Sequence, residues 1–212
     1  MHNENMNFQQ QLNKILLETK QSGIRPRVLL HSCCAPCTSY VLEYLLPVFD
    51  ITCYYFNPNI FPEEEYQRRK GEFKVLFASG EFTNDIYFME GDYTPSIFYD
   101  LAKGYEHNKE GQERCLRCYA VRLFMTAKTA KEMDYDYFTT TLTISPYKNA
   151  SNINEIGNMV SRLTGIKWLP SDFKKNNGYI RSIELSKVYG LYRQSYCGCE
   201  YSFAERMSTW DE

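Results

Sequence analysis

Apolar residues along this chain recur with two different periods. Short, nearly continuous apolar runs predict β-strands: RVLLH (27–31), DITCYYFN (50–57), NDIYFME (84–90), YDYFTTTL (135–142) and a weaker IKWLP (166–170). Between them, apolar positions three and four apart predict helices: TSYVLEYLL (38–46), EEEYQRRKGEFKVLFASG (63–80), PSIFYDLAKG (95–104), ERCLRCYAVRLFMTAKTAKEM (113–133) and NINEIGNMVSRLTG (152–165). Gly80 and Gly165 stand where helices end on glycine. Strands alternating with crossover helices predict an α/β fold, a single-domain three-layer sandwich around a mostly parallel sheet.

The first residues carry Phe8, Leu12, Ile15, Leu16 and Leu17, the spacing of an amphipathic helix. SGIRP (22–26) separates it from the first strand. Residues 1–26 are therefore read as a helical extension and 27–212 as the α/β domain. A length of 212 residues suits one substantial core. No apolar run approaches the ~20 residues of a membrane span. The N-terminus lacks the basic start and apolar segment of a secretory signal, so a cytoplasmic location is expected. A net charge of -2 neither demands nor excludes a nucleic-acid partner.

That location changes the meaning of the eight cysteines. Disulfides are rare in the cytosol, so clustered cysteines point to metal or redox work. Seven fall in three groups. Cys33, Cys34 and Cys37 lie in HSCCAPC, directly after the first strand; Cys115 and Cys118 form a C-x-x-C at a helix start; Cys197 and Cys199 flank Gly198. The eighth, Cys53, sits inside an apolar strand and reads as core. HSCCAPC occupies the carboxyl end of its strand, the edge where open α/β sheets bind ligands. FNPN (56–59) and TLTISPYKN (141–149) reach the same edge.

A C-x-x-C lets two thiolates reach one metal from a single turn, and a second cysteine-rich turn makes a four-thiolate site attractive. Zinc and an iron–sulfur cluster compete. Adjacent Cys33 and Cys34 fit a zinc knuckle poorly, which favours the cluster. The C-G-C pair is able to close a strained, easily reduced disulfide, or to ligate a second ion; a cation such as Arg193 would favour its thiolates. His31 is either a donor to a thiolate or structural, and Asn57 and Asn59 suit a turn. In the polar loop, Lys148 suits a phosphate and Tyr147 a base or sugar, with Ser145 and Asn149 beside them.

HSCCAPC, YYFNPNI, EYQRRK, ERCLRCY, FTTTLTISPYKN and LYRQSYCGCEYS, in this order, resemble the QueH family of epoxyqueuosine reductases, from about Arg27 to Phe203. The resemblance implies reduction of epoxyqueuosine to queuosine at the wobble position of tRNA, the final step of queuosine biosynthesis. It implies a nucleotide α-hydrolase-like fold with cysteine-rich loops at the strands' carboxyl edge. It also implies a 4Fe-4S cluster with a second metal, iron, beside it, and no cobalamin. By motif, Cys33, Cys34, Cys115 and Cys118 resemble the cluster ligands, and Cys197 and Cys199 the redox-active pair. Some relatives carry Asp at position 37, which suits Cys37 to the second metal. The implied partners are tRNA with a GUN anticodon and an external electron donor. Two other classes fit cysteines on such a sheet: a zinc-binding module and a tRNA-thiolating enzyme. The second requires a glycine-rich phosphate loop after the first strand, where this chain has HSCCAPC without glycine.

Overall fold

The computed structural model describes residues 7–79 and 86–208. Five parallel strands form one sheet in the order β3-β2-β1-β4-β5. They are β1 (Arg27–His31), β2 (Asp50–Tyr55), β3 (Ile86–Glu90), β4 (Tyr137–Thr140) and β5 (Lys167–Trp168). Eight helices accompany them: α1 (Phe8–Ser22), α2 (Ala35–Leu45), α3 (Glu63–Ala78), α4 (Pro95–Ala102), α5 (Glu113–Glu132), α6 (Ala150–Thr164), α7 (Gly178–Val188) and α8 (Glu200–Ser208). The parallel sheet and helices α1 to α6 are those the sequence pattern predicts.

Strand side chains alternate faces, and both faces of β1 are buried. Val28 and Leu30 pack with Leu12 of α1, Val41 of α2, Phe73 of α3 and Leu185 of α7. Leu29 faces the opposite way, onto Leu123 of α5, Val160 of α6 and Trp168. Each such side chain, fully removed from water, stabilises the fold by roughly 1.5–3 kcal/mol. Helix α1 closes its N-terminus with an Asn7–Gln10 capping box, and Gln9 Nε2 donates to Tyr44 Oη on α2 (2.8 Å). No helix among the described residues is long and apolar enough to cross a membrane.

The differences from the sequence pattern concentrate at the carboxyl edge. Strand β4 stops at Thr140 and residues Thr141–Ile144 form a 3₁₀ turn. The Thr140 hydroxyl accepts from Leu142 N (3.2 Å), drawing the backbone away from the ladder. Helix α2 starts at Ala35, inside the cysteine motif; Pro36 is tolerated there because first-turn N–H groups have no intrahelical acceptor. Gly165 ends α6 in the left-handed conformation (φ 81°), as the sequence predicts. Gly80 and the first two residues of the third predicted strand lie outside the described residues. Helices α7 and α8 carry no clear apolar period and are findings of the structure.

Candidate metal and redox centre

From β1 the sheet grows to β2 on one side and to β4 on the other, so the order of strands reverses between β1 and β4. The two carboxyl ends part at this switch point and leave a crevice. His31, paired with Thr140 in register, bonds to it through Nδ1 (2.7 Å to Oγ1). One residue further, Cys33 N donates to Thr141 Oγ1 (3.2 Å). Cys34 is the N-cap of α2, so the thiols of HSCCAPC sit at the positive end of a helix. The sulfurs of Cys33, Cys34 and Cys37 all lie within 4.8 Å of one another.

These thiols set one another's acidity. Hydrogen bonds from Cys34 and Cys37 hold the Cys33 thiol well below its usual range, against the pull of burial. The bond to Cys33 pushes Cys34 up to about 12, and Cys33 and Cys34 push Cys37 up as well. Gln194 Nε2 donates to Cys34 Sγ (3.2 Å) and Thr141 Oγ1 to Cys33 Sγ (3.3 Å).

Helix α5 supplies the second group. Cys115, Cys118 and Arg122 are three and four residues apart, hence on one face. Cys115 Sγ accepts from Gly111 N (3.2 Å). Arg122, 2% exposed, donates to Asn57 Oδ1 (2.6 Å) and His31 Nε2 (3.2 Å), and NH1 reaches Cys118 Sγ at 3.9 Å. Burial pushes Cys115 up to about 11 and Cys118 up to about 12. Arg122 also lines one cavity with Cys33, Cys37 and Cys197, so one guanidinium adjoins all three cysteine groups.

The C-G-C loop completes the ring. Arg69, paired with Glu65 (2.7 Å), donates to the carbonyl of Cys197 (3.1 Å), and Phe61 N donates to that of Gly198 (2.8 Å). Gly198 has φ 135°, open to glycine alone, and a Cβ there would stand 3.0 Å from Arg69 NH1. The two thiols face different surroundings. Cys197 lines a cavity, whereas Cys199 is buried with Cys118, Phe98 and Ala102 and bonds to Ser202. All eight cysteines are free thiols.

The cavity measures about 480 Å³ and is walled by Cys33, Cys37, Cys197, Arg122, Ser145, Tyr147 and Lys148, among others. Ser145 and Tyr147 stand at its rim, with Tyr147 78% exposed. Lys148 turns inward instead, its side chain only 9% exposed. Burial opposes its charge, but Cys197, Tyr119 and Glu110 hold the ammonium well above the usual lysine range. Asn149 spends its side-chain oxygen capping α6, on Ser151 N (2.8 Å) and Asn152 N (3.3 Å). His31 is bound to Thr140 and Arg122 and works as a brace, while Cys53 is core.

Sequence reasoning passed over Arg122, Thr141, Gln194 and Arg69. Arg122 had a signal: it stands one turn beyond Cys118, on the same face of the predicted helix as the C-x-x-C. Gln194 and Arg69 lie inside the quoted motifs LYRQSYCGCEYS and EYQRRK, but their contacts with Cys34 Sγ and the Cys197 carbonyl join distant chain segments and arise only in the fold. Together these groups fit a thiolate-held metal group. Arg69, Arg122, Lys148, Arg193 and Arg206 line the cavity against the carboxylates Glu110 and Glu205. The hydroxyl of Tyr119, beside Lys148 and Cys197, is buried without a hydrogen-bond partner. The buried Arg69 and Arg122, the inward-turned Lys148 and an unsatisfied donor suit an anionic occupant.

Comparison with known proteins agrees with this chemistry. Residues 28–205 match the family model described as epoxyqueuosine reductase QueH. A Staphylococcus epidermidis protein named epoxyqueuosine reductase QueH is 44% identical over 95% of this chain and 87% of its own. A Streptococcus pyogenes protein of the same name is 43% identical, over 94% of this chain and 79% of its own. One from Thermotoga maritima is 37% identical, over 84% and 91%.

Proposed function

The chain belongs to the epoxyqueuosine reductase QueH family, and on that premise we propose how its residues divide the work of removing an epoxide oxygen. The protein is an oxidoreductase that reduces epoxyqueuosine to queuosine, the last step of queuosine biosynthesis in tRNA. The reaction takes two electrons and two protons, breaks both C–O bonds of the epoxide, forms a C=C bond and releases water.

Cys33, Cys34, Cys115 and Cys118 hold a 4Fe-4S cluster, and Cys37 contributes to a second metal, iron, beside it. The observation that carries this reading is that Cys33, Cys37 and Cys197 line one cavity with Arg122, whose NH1 reaches Cys118 Sγ at 3.9 Å. When bound, such a centre supplies single electrons and a Lewis-acidic position, chemistry that side chains lack. The protein's own part is to hold and neutralise it. Thr141 and Gln194 donate to the Cys33 and Cys34 sulfurs, and Arg122 lends a buried positive charge. Cys197 and Cys199 form the redox-active pair, with Arg122, Lys148 and Arg193 lining the same cavity as Cys197.

The substrate is tRNA with a GUN anticodon carrying epoxyqueuosine. Its modified base enters the cavity past Ser145 and Tyr147, and an external donor supplies electrons. A protein purified without oxygen should contain iron and acid-labile sulfide. With a chemical reductant it should convert epoxyqueuosine in tRNA to queuosine, read by mass spectrometry of the nucleosides. Zinc alone, with no conversion, would favour a zinc-binding module instead.

A further inference from the structure

Lys148 and Tyr147 are neighbours in one tight turn, yet they face opposite ways. Tyr147 is 78% exposed, while the Lys148 side chain is 9% exposed and lines the cavity. The backbone imposes this. Lys148 N donates to Ser145 O (3.3 Å), its carbonyl accepts from Lys174 Nζ (3.4 Å), and Asn149 beyond it is fixed as the α6 cap. A lysine that contacts tRNA phosphates would lie on the surface. This one brings its charge indoors, at a desolvation cost of several kcal/mol that only an anionic partner offsets. Among the described residues its one ion pair, with Glu110 at 3.9 Å, is loose, and that carboxylate is 32% exposed.

The buried Arg122 and Arg69 and the half-buried Arg193, which also line the cavity, are committed elsewhere. Arg122 is bound to His31, Asn57 and Cys118; Arg69 to Glu65 and two carbonyls; Arg193 to Ser182 and Ser186. Lys148 carries three N–H donors and has Cys33 and Cys197 as electrostatic neighbours.

We propose that Lys148 is a catalytic residue, whose ammonium contacts the epoxide oxygen inside the cavity and balances its negative charge as the C–O bonds break. This rests on the reading of the chain as an epoxyqueuosine reductase and replaces the expected phosphate contact. The electron count is that of the established reaction. Two electrons come from the reductant, the C=C bond forms as both C–O bonds break, and the oxygen takes two protons from solvent and leaves as water. Lys148 stays an ammonium throughout. It acts as a donor preorganised where charge develops, in a site where low dielectric strengthens it.

The test uses holoenzyme prepared anaerobically as wild type, Lys148→Met and Lys148→Arg. Iron and sulfide content, single-turnover reduction of epoxyqueuosine tRNA by excess enzyme, and tRNA affinity across a salt series are measured for each. Lys148→Met should keep the metal content, the affinity and the salt slope, and lose about 10²–10³-fold in single-turnover rate. Lys148→Arg should fall between it and wild type. An unchanged rate in Lys148→Met would overturn the proposal. So would a reduced affinity with a shallower salt slope, the mark of a phosphate contact, or a loss of iron. A wild-type protein that fails to reduce epoxyqueuosine would instead sink the functional assignment itself.

Discussion

Arg122 Nε lies 3.2 Å from His31 Nε2, and this bond ties α5 to the carboxyl end of β1. An arginine only donates, so Nε2 accepts and the ring proton sits on Nδ1, toward Thr140 Oγ1 at 2.7 Å. One buried guanidinium thereby joins the strand bearing HSCCAPC to the helix bearing the C-x-x-C. Replacing it should do more than remove a charge. In Arg122→Leu, the fully buried Asn57 Oδ1 and His31 Nε2 lose a donor. The expected cost is about 2–4 kcal/mol, measured by urea unfolding of the metal-free protein. A variant as stable as wild type would show that the bridge does not hold the two elements together.

The ligand assignment is tested one thiol at a time. Cys118→Ala should remove the visible absorbance and lower iron and acid-labile sulfide, because three thiolates bind a cubane less tightly than four. Elemental analysis decides this without an activity assay. A Cys118→Ala protein with full iron and sulfide takes Cys118 off the ligand list.

The sheet was legible in the sequence because buried parallel strands are nearly uniform in polarity. RVLLH and DITCYY admit few other readings. Helices with a clear apolar stripe, such as α5 and α6, were legible for the same reason. Helix α7 was not. It begins at Gly178, where a Cβ would stand 2.0 Å from Phe173 O and 2.4 Å from the Tyr40 ring, so close packing on α2 selects it rather than any stripe. In the site, the cysteines declared themselves by clustering. The groups that serve them did not, because Thr141, Gln194 and Arg69 reach sulfurs and carbonyls far away along the chain. Lys148 was visible, but not its direction, which depends on a turn held by Lys174.

The packing of α6 on β5 makes a sharp prediction at Gly157. A Cβ there would lie 2.3 Å from the Trp168 ring, and Trp168 Nε1 is held by Asn154 Oδ1 (3.0 Å), so the indole has little freedom to retreat. Alanine inside a helix normally gains ~0.5–1 kcal/mol over glycine. Overpacking of roughly 1–3 kcal/mol should outweigh that. Gly157→Ala should therefore unfold at lower urea concentration than wild type, and the opposite shift would show that the indole moves aside.

Tyr147 is exposed at the cavity rim, and the proposed passage of the modified base makes it a candidate for stacking on a neighbouring base. Tyr147→Ala should weaken tRNA binding by about 1–3 kcal/mol, whereas Tyr147→Phe should keep it. Fluorescence anisotropy with labelled tRNA measures both. Equal loss in the two variants would assign the effect to the hydroxyl, and no loss in either would remove Tyr147 from the interface.

Cys197 and Cys199 differ in accessibility although one residue separates them. Cys197 lines the cavity together with Lys148 and Arg122, open to a reagent or substrate that enters it. Cys199 is buried against Cys118 and held by Ser202, and burial pushes its thiol up. A pair cycling between dithiol and disulfide therefore has Cys197 as its attacking member and Cys199 as its resolving one. In reduced protein, a limiting amount of alkylating agent should label Cys197 well before Cys199, as peptide mass spectrometry reads directly. After mild oxidation both should be protected together. Cys197→Ser and Cys199→Ser should each keep iron and sulfide while turnover falls to background. Loss of the metal in either variant would make that residue a ligand, and full multiple turnover in either would end the redox role. Equal labelling of both thiols would mean that the loop opens in solution and that the shielding of Cys199 has no part in the reaction.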